Sequence, residues 1–328
     1  MSDKMMMALM VTEVGIKAEL REVPRPELNA DSVIVRVHYS GVSVGTEMWI
    51  ATGRREPRPA PFLNPGYQAT GEIVEVGSNV TEFCPGDLVA VFCSHSHAQY
   101  VKAHSSLAHR LPDPSCLKTA SLFVMPSVGA HALNHADVRC GDTVLVVGQG
   151  LIGQCTAQLA RLRGAYTIAS EVSPVRLALS QKYCADWVID ASKEKLPDAI
   201  KSRFPNGVDV VLESTGFQNL IEDAMACVRS GGLGPGGKFV FEGWYPDSIQ
   251  YNFHLPHSKQ LRAFYPAFIG ERPSREGVLR LIASGKLVIE PLITNLVPWR
   301  DAAGVYTRLF TPERNQMNGI VFDWRAGA

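Results

Sequence analysis

The chain has 328 residues, 46% of them hydrophobic and 20% charged, and its 32 lysines and arginines balance 32 aspartates and glutamates. At roughly 150 residues per domain this is enough for about two domains with full cores, which excludes a disordered chain, and zero net charge argues against a broad grip on nucleic acid or on an anionic membrane. No apolar run of about 18 residues could span a bilayer. The start of the chain lacks a signal-peptide pattern, and the seven cysteines (Cys84, Cys93, Cys116, Cys140, Cys155, Cys184, Cys227) are odd in number and unpaired in spacing, so a reducing, cytoplasmic setting is expected.

In chain order, the first 120 residues alternate short β-forming runs with Gly and Pro turns. Residues 32–39, 71–77, 87–92 and 98–103 read as strands of an antiparallel β domain. Residues 119–136 read as a helix that Pro126 should break or kink. A continuous apolar strand over 142–147 follows, of the kind buried on both faces. Helices at 151–163, 174–183, 195–204 and 219–229 then alternate with strands at 166–170, 187–189, 208–213 and 238–242. This alternation predicts a parallel sheet wrapped by helices. Residues 230–237, rich in glycine, read as the most flexible segment. Beyond them come a helix over 275–284, a strand over 292–297, a helix over 299–309 and a final strand over 319–324.

The stretch Val144-Leu145-Val146-Val147-Gly148-Gln149-Gly150-Leu151-Ile152-Gly153 carries the most chemistry. It is G-x-G-x-x-G between a buried strand and a helix. Gly148 permits the tight turn, Gly150 lets the backbone approach a pyrophosphate, and Gly153 lets the helix pack on the sheet. The helix start, with Leu151 and Ile152, offers N–H groups and a partial positive charge to phosphates. Glu171, 18 residues after Gly153, ends the next strand. A carboxylate there accepts from the ribose hydroxyls of NAD and repels a 2′-phosphate, so NAD is the expected cofactor, with Arg176 nearby as a complication.

Through these motifs the chain resembles the medium-chain dehydrogenase/reductase family along nearly its whole length. Gly41-Val42-Ser43-Val44-Gly45-Thr46-Glu47 looks like the family's catalytic loop, and Asn64-Pro65-Gly66-Tyr67-Gln68-Ala69-Thr70-Gly71-Glu72 looks like its G-H-E-x-x-G segment. Pro85-Gly86-Asp87-Leu88-Val89 resembles its P-G-D-x-V, and Glu171-Val172-Ser173-Pro174 its acidic residue with N/S-P neighbours. The resemblance implies an α/β fold: a Rossmann doubly wound parallel sheet (124–265) inserted into a mainly antiparallel, GroES-like catalytic β domain (1–123 plus 266–328). It also implies a homodimer formed by edge strands of the cofactor sheets. Ser214-Thr215-Gly216, after the strand over 208–213, should lie along the dinucleotide, and Gly243-Trp244-Tyr245, after the last strand of that sheet, near the nicotinamide.

The departures from the family matter as much. Its zinc-dependent members place a Cys where Ser43 stands, a His and often a Glu where Tyr67 and Gln68 stand, and a Cys near Val124. None of these is a thiolate, imidazole or carboxylate, so no metal is expected. Cys93, His95 and His97 alternate, which on a strand would place all three on one face as a lesser metal candidate. Without zinc, the substrate oxygen must be handled by side chains. The catalytic candidates are Ser43, Thr46, Glu47, Tyr67, Gln68 and His97. Thr46 takes the place of the family's proton-relaying hydroxyl if Gly45 is a one-residue insertion, and Tyr67 would be a hydroxyl donor. Glu47 takes the place of the acid behind the second-motif His, and His97 would be a general base. The leading expectation is a zinc-independent, NAD-dependent dehydrogenase or reductase acting on a secondary alcohol (polyol- or cyclitol-like) or its ketone. NADPH-dependent reduction of an enone or quinone is an alternative, and a non-catalytic dinucleotide-binding scaffold or redox sensor is another.

Overall fold

The computed structural model describes residues 4–55 and 57–325. The chain opens with β1 (Met5–Glu13), β2 (Lys17–Pro24), β3 (Ser32–Val42), α1 (Val44–Ala51), β4 (Phe62–Leu63), β5 (Gln68–Val76), β6 (Leu88–Phe92), β7 (Tyr100–His104), β8 (Ala108–Arg110) and α2 (Leu117–Ala120). Next come α3 (Val124–His135), β9 (Thr143–Val147), α4 (Leu151–Leu162), β10 (Tyr166–Glu171), α5 (Pro174–Leu179), β11 (Trp187–Asp190), α6 (Leu196–Arg203), β12 (Val210–Glu213), α7 (Ile221–Cys227), β13 (Lys238–Phe241), α8 (His254–Lys259), β14 (Arg262–Phe264) and α9 (Arg272–Ala283). The chain ends with β15 (Ile293–Pro298), α10 (Ala302–Arg308) and β16 (Gly319–Asp323).

Two compact units result: residues up to Val124 together with those from Arg275, and Met125–Ser274. In the first, β15-β16-β3-β5-β6-β8 form one sheet, with β7 also paired to β3, and β2-β1-β4 form a second. All pairs but the parallel β15–β16 are antiparallel. Alternating apolar residues of both sheets meet residues from the other chain end, including Trp299, Tyr306, Phe322 and Trp324. Trp299 and Trp324 stack at 5.7 Å. In the second unit all six strands are parallel, in the order β11-β10-β9-β12-β13-β14. The strand order therefore reverses beside β9, and the crevice at the carboxyl ends of β9 and β12 is where such a sheet binds ligands. This is the expected α/β architecture, with a Rossmann-type sheet and a mainly antiparallel β unit.

Several local expectations shift for identifiable reasons. The helix expected over 119–136 is two helices separated at 121–123. Pro126 does not break α3; it lies in its first turn, where the missing N–H costs nothing. The helix expected over 174–183 stops at Leu179 and widens into a π-turn over Ser180–Cys184. The segment 230–237 is tied down, since Gly231 N–H and Gly236 N–H donate to Lys259 and Gln260 carbonyls. Strands β1 and β2, absent from the sequence reading, pair with each other as a hairpin, and β14, also absent, adds in parallel to the edge beside β13. The seven cysteines are free. Among the described residues, no helix is long and apolar enough to cross a membrane.

Candidate functional site

The glycine loop of the second unit has the geometry its spacing predicts. Gly148 adopts φ +88°, and a Cβ there would lie 2.5 Å from Thr215 Cγ2. A Cβ on Gly153 would lie 2.0 Å from the Gly148 carbonyl oxygen, so only glycine lets α4 start this close to the strand. Gly150 is different: it caps α4 with φ −63°, and a Cβ there would meet nothing within 4 Å. The space over Gly150 is what a diphosphate needs to reach the N–H groups of Leu151, Ile152 and Gly153 at the helix start. Gln149, unmarked in the sequence reading, is fully buried and donates from Nε2 to the Gly148 carbonyl at 3.0 Å, while its Oε1 accepts from Ser180 Oγ at 3.0 Å.

Glu171 lies beside this loop, at the end of β10. Its Oε1 accepts from the Val172 and Ser173 N–H groups at 2.7 and 2.9 Å, and its Oε2 accepts from Gln149 N–H at 2.9 Å. Arg176 Nη1 stands 3.9 Å from Oε2. A carboxylate oxygen takes about two hydrogen bonds, so Oε2 keeps room for one more donor.

At the carboxyl ends of β12 and β13 the structure places two buried acids that the sequence reading did not single out. Glu213 clamps both neighbouring loops: it accepts from Thr215 N–H at 2.8 Å and Gly216 N–H at 3.1 Å, and from the hydroxyls of Thr215 and Tyr245. Glu242 accepts from Thr156 Oγ1 of α4 at 2.7 Å and from Ser214 Oγ. Among the described residues it has no cationic partner; burial, with Glu213 nearby, pushes its carboxyl up to about 7 despite the two hydroxyls. Ser214, Thr215 and Gly243 sit on loops shaped by these acids, and Trp244 follows them with 37% exposure. The available signal was an acid closing each of two β-forming runs, 208–213 and 238–242.

In the first unit, Ser43, Thr46 and Glu47 are not on a loop. Ser43 caps α1, and Glu47 lies in its first turn with its carboxylate fully buried. Glu47 Oε1 accepts from the Ser43 N–H at 2.7 Å, in the manner of a capping box. The Ser43 hydroxyl does not cap the helix; it and the Thr46 hydroxyl lie near enough to the Tyr67 hydroxyl to loosen its hold on the proton. The Tyr67 ring is half-buried and meets Phe92 edge-on at 5.7 Å. Burial of its hydroxyl, with Glu47 nearby, pushes it up to about 12, against the two hydroxyls and Arg55. Gln68 points elsewhere: its Oε1 accepts from Val124 N–H at 3.1 Å, at the start of α3, and its buried Nε2 has no partner among the described residues. His97 is fully buried. Its Nδ1 meets Ser40 Oγ at 2.8 Å and its Nε2 meets Glu47 Oε2 at 2.9 Å, so it faces no solvent. The structure therefore brings Ser43, Thr46, Glu47, Tyr67 and His97 together and leaves Gln68 as a tie to α3.

The residues at the family's zinc positions do not fit zinc. Tyr67 holds its proton, Ser43 offers only a neutral hydroxyl, the Gln68 carbonyl oxygen is taken, and Val124 has no side-chain donor. Cys93, His95 and His97 share no strand face, because β6 ends at Phe92 and His95 turns into the left-handed region at φ +60°. Burial pushes the Cys93 thiol up to about 12, far from thiolate. Among the described residues, no group of three or more His, Cys, Asp or Glu side chains could hold a metal ion.

Comparison with known proteins places this geometry. Residues 29–117 match the family described as the alcohol dehydrogenase GroES-like domain, and residues 152–284 match the family described as zinc-binding dehydrogenase. The chain is similar to the uncharacterized zinc-type alcohol dehydrogenase-like protein YdjJ of Escherichia coli strain K12, 25% identical over 92% of this chain and 93% of that protein. It is likewise similar to the L-threonine 3-dehydrogenase of Rhizobium rhizogenes, 28% identical over 98% and 99%. In fold it is similar to a putative zinc-binding dehydrogenase from Sinorhizobium meliloti 1021 solved bound to NADP, with TM-score 0.84, 23% identity and coverage of 97% and 99%.

Proposed function

We propose that this chain, which belongs to the alcohol dehydrogenase-like medium-chain dehydrogenase/reductase superfamily, is an NAD-dependent oxidoreductase that interconverts a secondary alcohol and its ketone without zinc. The observation that carries this reading is the Tyr67 hydroxyl, set near the Ser43 and Thr46 hydroxyls at the position of the superfamily's zinc-ligand motifs. When bound, the nicotinamide cofactor supplies or accepts the hydride. The chain's own residues do the rest. The backbone of Gly148–Gly153 and the start of α4 hold the diphosphate. Glu171 Oε2 accepts a ribose hydroxyl and disfavours a 2′-phosphate, which supports NAD over NADP. Tyr67, protonated across the neutral range, donates to the substrate oxygen and lowers the energy of the charge that develops there. In ketone reduction carbon receives the hydride and oxygen receives the Tyr67 proton, leaving a phenolate less basic than the alkoxide it quenched.

Three measurements on one preparation test this. Removing the phenol (Tyr67→Phe) should lower kcat about 100-fold for an alcohol or ketone found by panel screening. The purified enzyme should turn over with no bound zinc and be indifferent to a chelator. NADH should bind more tightly than NADPH, and Glu171→Ala should narrow the gap. Stoichiometric zinc with loss of activity on chelation would remove the metal-free reading, and tight NADPH binding with none of NADH would remove the cofactor assignment.

A further inference from the structure

The buried groups around His97 form one connected set. Trp324 Nε1–H can only donate, and it donates to Ser40 Oγ at 2.9 Å. Ser40 can then turn its own proton to His97 Nδ1 at 2.8 Å, which leaves the ring proton on Nε2. Nε2–H donates to Glu47 Oε2 at 2.9 Å, and the Tyr306 hydroxyl donates to the same oxygen at 3.1 Å. Glu47 Oε1 takes the Ser43 N–H. Each donor in this set has an acceptor. The groups follow the order of a serine–histidine–acid triad, but Ser40 and His97 are fully buried and Ser40 is tied to Trp324, so no substrate carbonyl can reach this serine.

His97 also braces a second segment. Its carbonyl accepts from Leu9 N–H at 2.9 Å and from Asn64 Nδ2 at 3.2 Å, and its N–H donates to Asn64 Oδ1 at 3.2 Å. The same Asn64 Oδ1 accepts from Gly66 N–H at 3.0 Å, immediately before Tyr67. A Cβ on Gly66 would lie 2.6 Å from His97 Nε2, so the imidazole rests against this turn. Its ring edges meet Phe322 at 5.0 Å and Tyr306 at 5.9 Å. The backbone of His97 thus holds the segment carrying Tyr67, while its ring holds Glu47 in the segment carrying Ser43 and Thr46.

We propose that His97 is a positioning residue: by bridging Asn64 and Glu47 it fixes the two segments whose hydroxyls meet at Tyr67. This rests on the reading that Tyr67 meets the substrate oxygen. Glutamine at this position can reproduce the Nε2–H donor to Glu47, whereas leucine fills the space and makes no hydrogen bond.

The test uses the full chain labelled with fluorotyrosine, with the Tyr67 fluorine signal identified by its loss in Y67F. His97→Leu should shift or broaden that signal and leave those of Tyr166, Tyr183 and Tyr265 in place, while His97→Gln should keep it near its wild-type position. In the same samples H97L should lower kcat about tenfold with the Kd for NADH unchanged, and H97Q should recover most of the loss. If H97L does not fold, Glu47→Gln takes its place, since it weakens the same bridge from the other side, and the same shift at Tyr67 is expected. An unmoved Tyr67 signal in folded H97L or E47Q overturns the proposal. Wild-type turnover by Y67F, together with a moved signal in H97L, would remove the catalytic reading of Tyr67 and leave the positioning intact.

Discussion

The two units build their sites from different materials. In the parallel-sheet unit the work falls to backbone: three glycines, a helix start and a strand order that reverses beside β9. In the β unit it falls to side chains contributed by β3, α1, the segments around Asn64 and His97, α10 and the end of the chain. A buried carboxylate from each unit shows what this means energetically. Glu47 accepts from an imidazole, a phenol and a backbone N–H. Glu242 accepts from two hydroxyls and has Glu213 nearby, so burial is not offset and its proton is held up to about 7. For Glu242, burial beside a second acid outweighs the two hydroxyls that face it.

The comparison can be broken most severely at the glycines. Gly153→Ala should cost on the order of 3 kcal/mol, because the new methyl meets a carbonyl oxygen that cannot move freely, and dinucleotide binding should vanish with it. Gly150→Ala should leave the melting temperature within a degree or two of wild type yet weaken NADH about tenfold, because it fills only the space kept for the phosphates. Thermal melts and titration calorimetry on the two variants check this, and equal losses of stability would mean that the loop is not divided between packing and binding.

Next in size is Glu242. Its folded carboxyl holds a proton to about 7 against an ordinary value of 4.5. The folded state therefore binds the proton more tightly than the unfolded chain, and stability falls as pH rises between these values, with the full penalty present above 7. Glu242→Gln should thus stabilise the protein by up to about 3 kcal/mol at pH 8 and by little below pH 4.5. Urea unfolding at both pH values measures it; an equal gain at both would show that ionisation is not the cause. The smallest effect belongs to the surface. Arg36 pairs with Glu72 at 2.6 Å, yet both are substantially exposed, and Arg36→Ala should change stability by less than about 0.5 kcal/mol in the same urea assay. A larger change would narrow the distinction between buried and exposed charge.

Much of this was legible in the amino-acid order. Alternation of apolar strands with helices specified the parallel sheet, and the glycine spacing with Glu171 specified the phosphate loop, because these features depend on neighbours within about 25 residues. Ser43, Thr46, Glu47 and Tyr67 were legible as candidates through their motif positions. What they do was not. The sequence reading took Ser43–Glu47 as a loop, whereas the fold makes Ser43 the cap of α1 and turns Glu47 inward. It took His97 as a general base, whereas Ser40, Glu47, Tyr306 and Phe322 surround its buried ring. Trp324 reaches Ser40 across 284 positions of sequence, and Tyr306 reaches Glu47 across 259. The parallel sheet and its phosphate turn follow from local periodicity and backbone freedom, which the sequence states directly. The hydrogen bonding of His97 and the proton held by Glu242 follow from which distant donors are packed against them, and only the tertiary structure decides that.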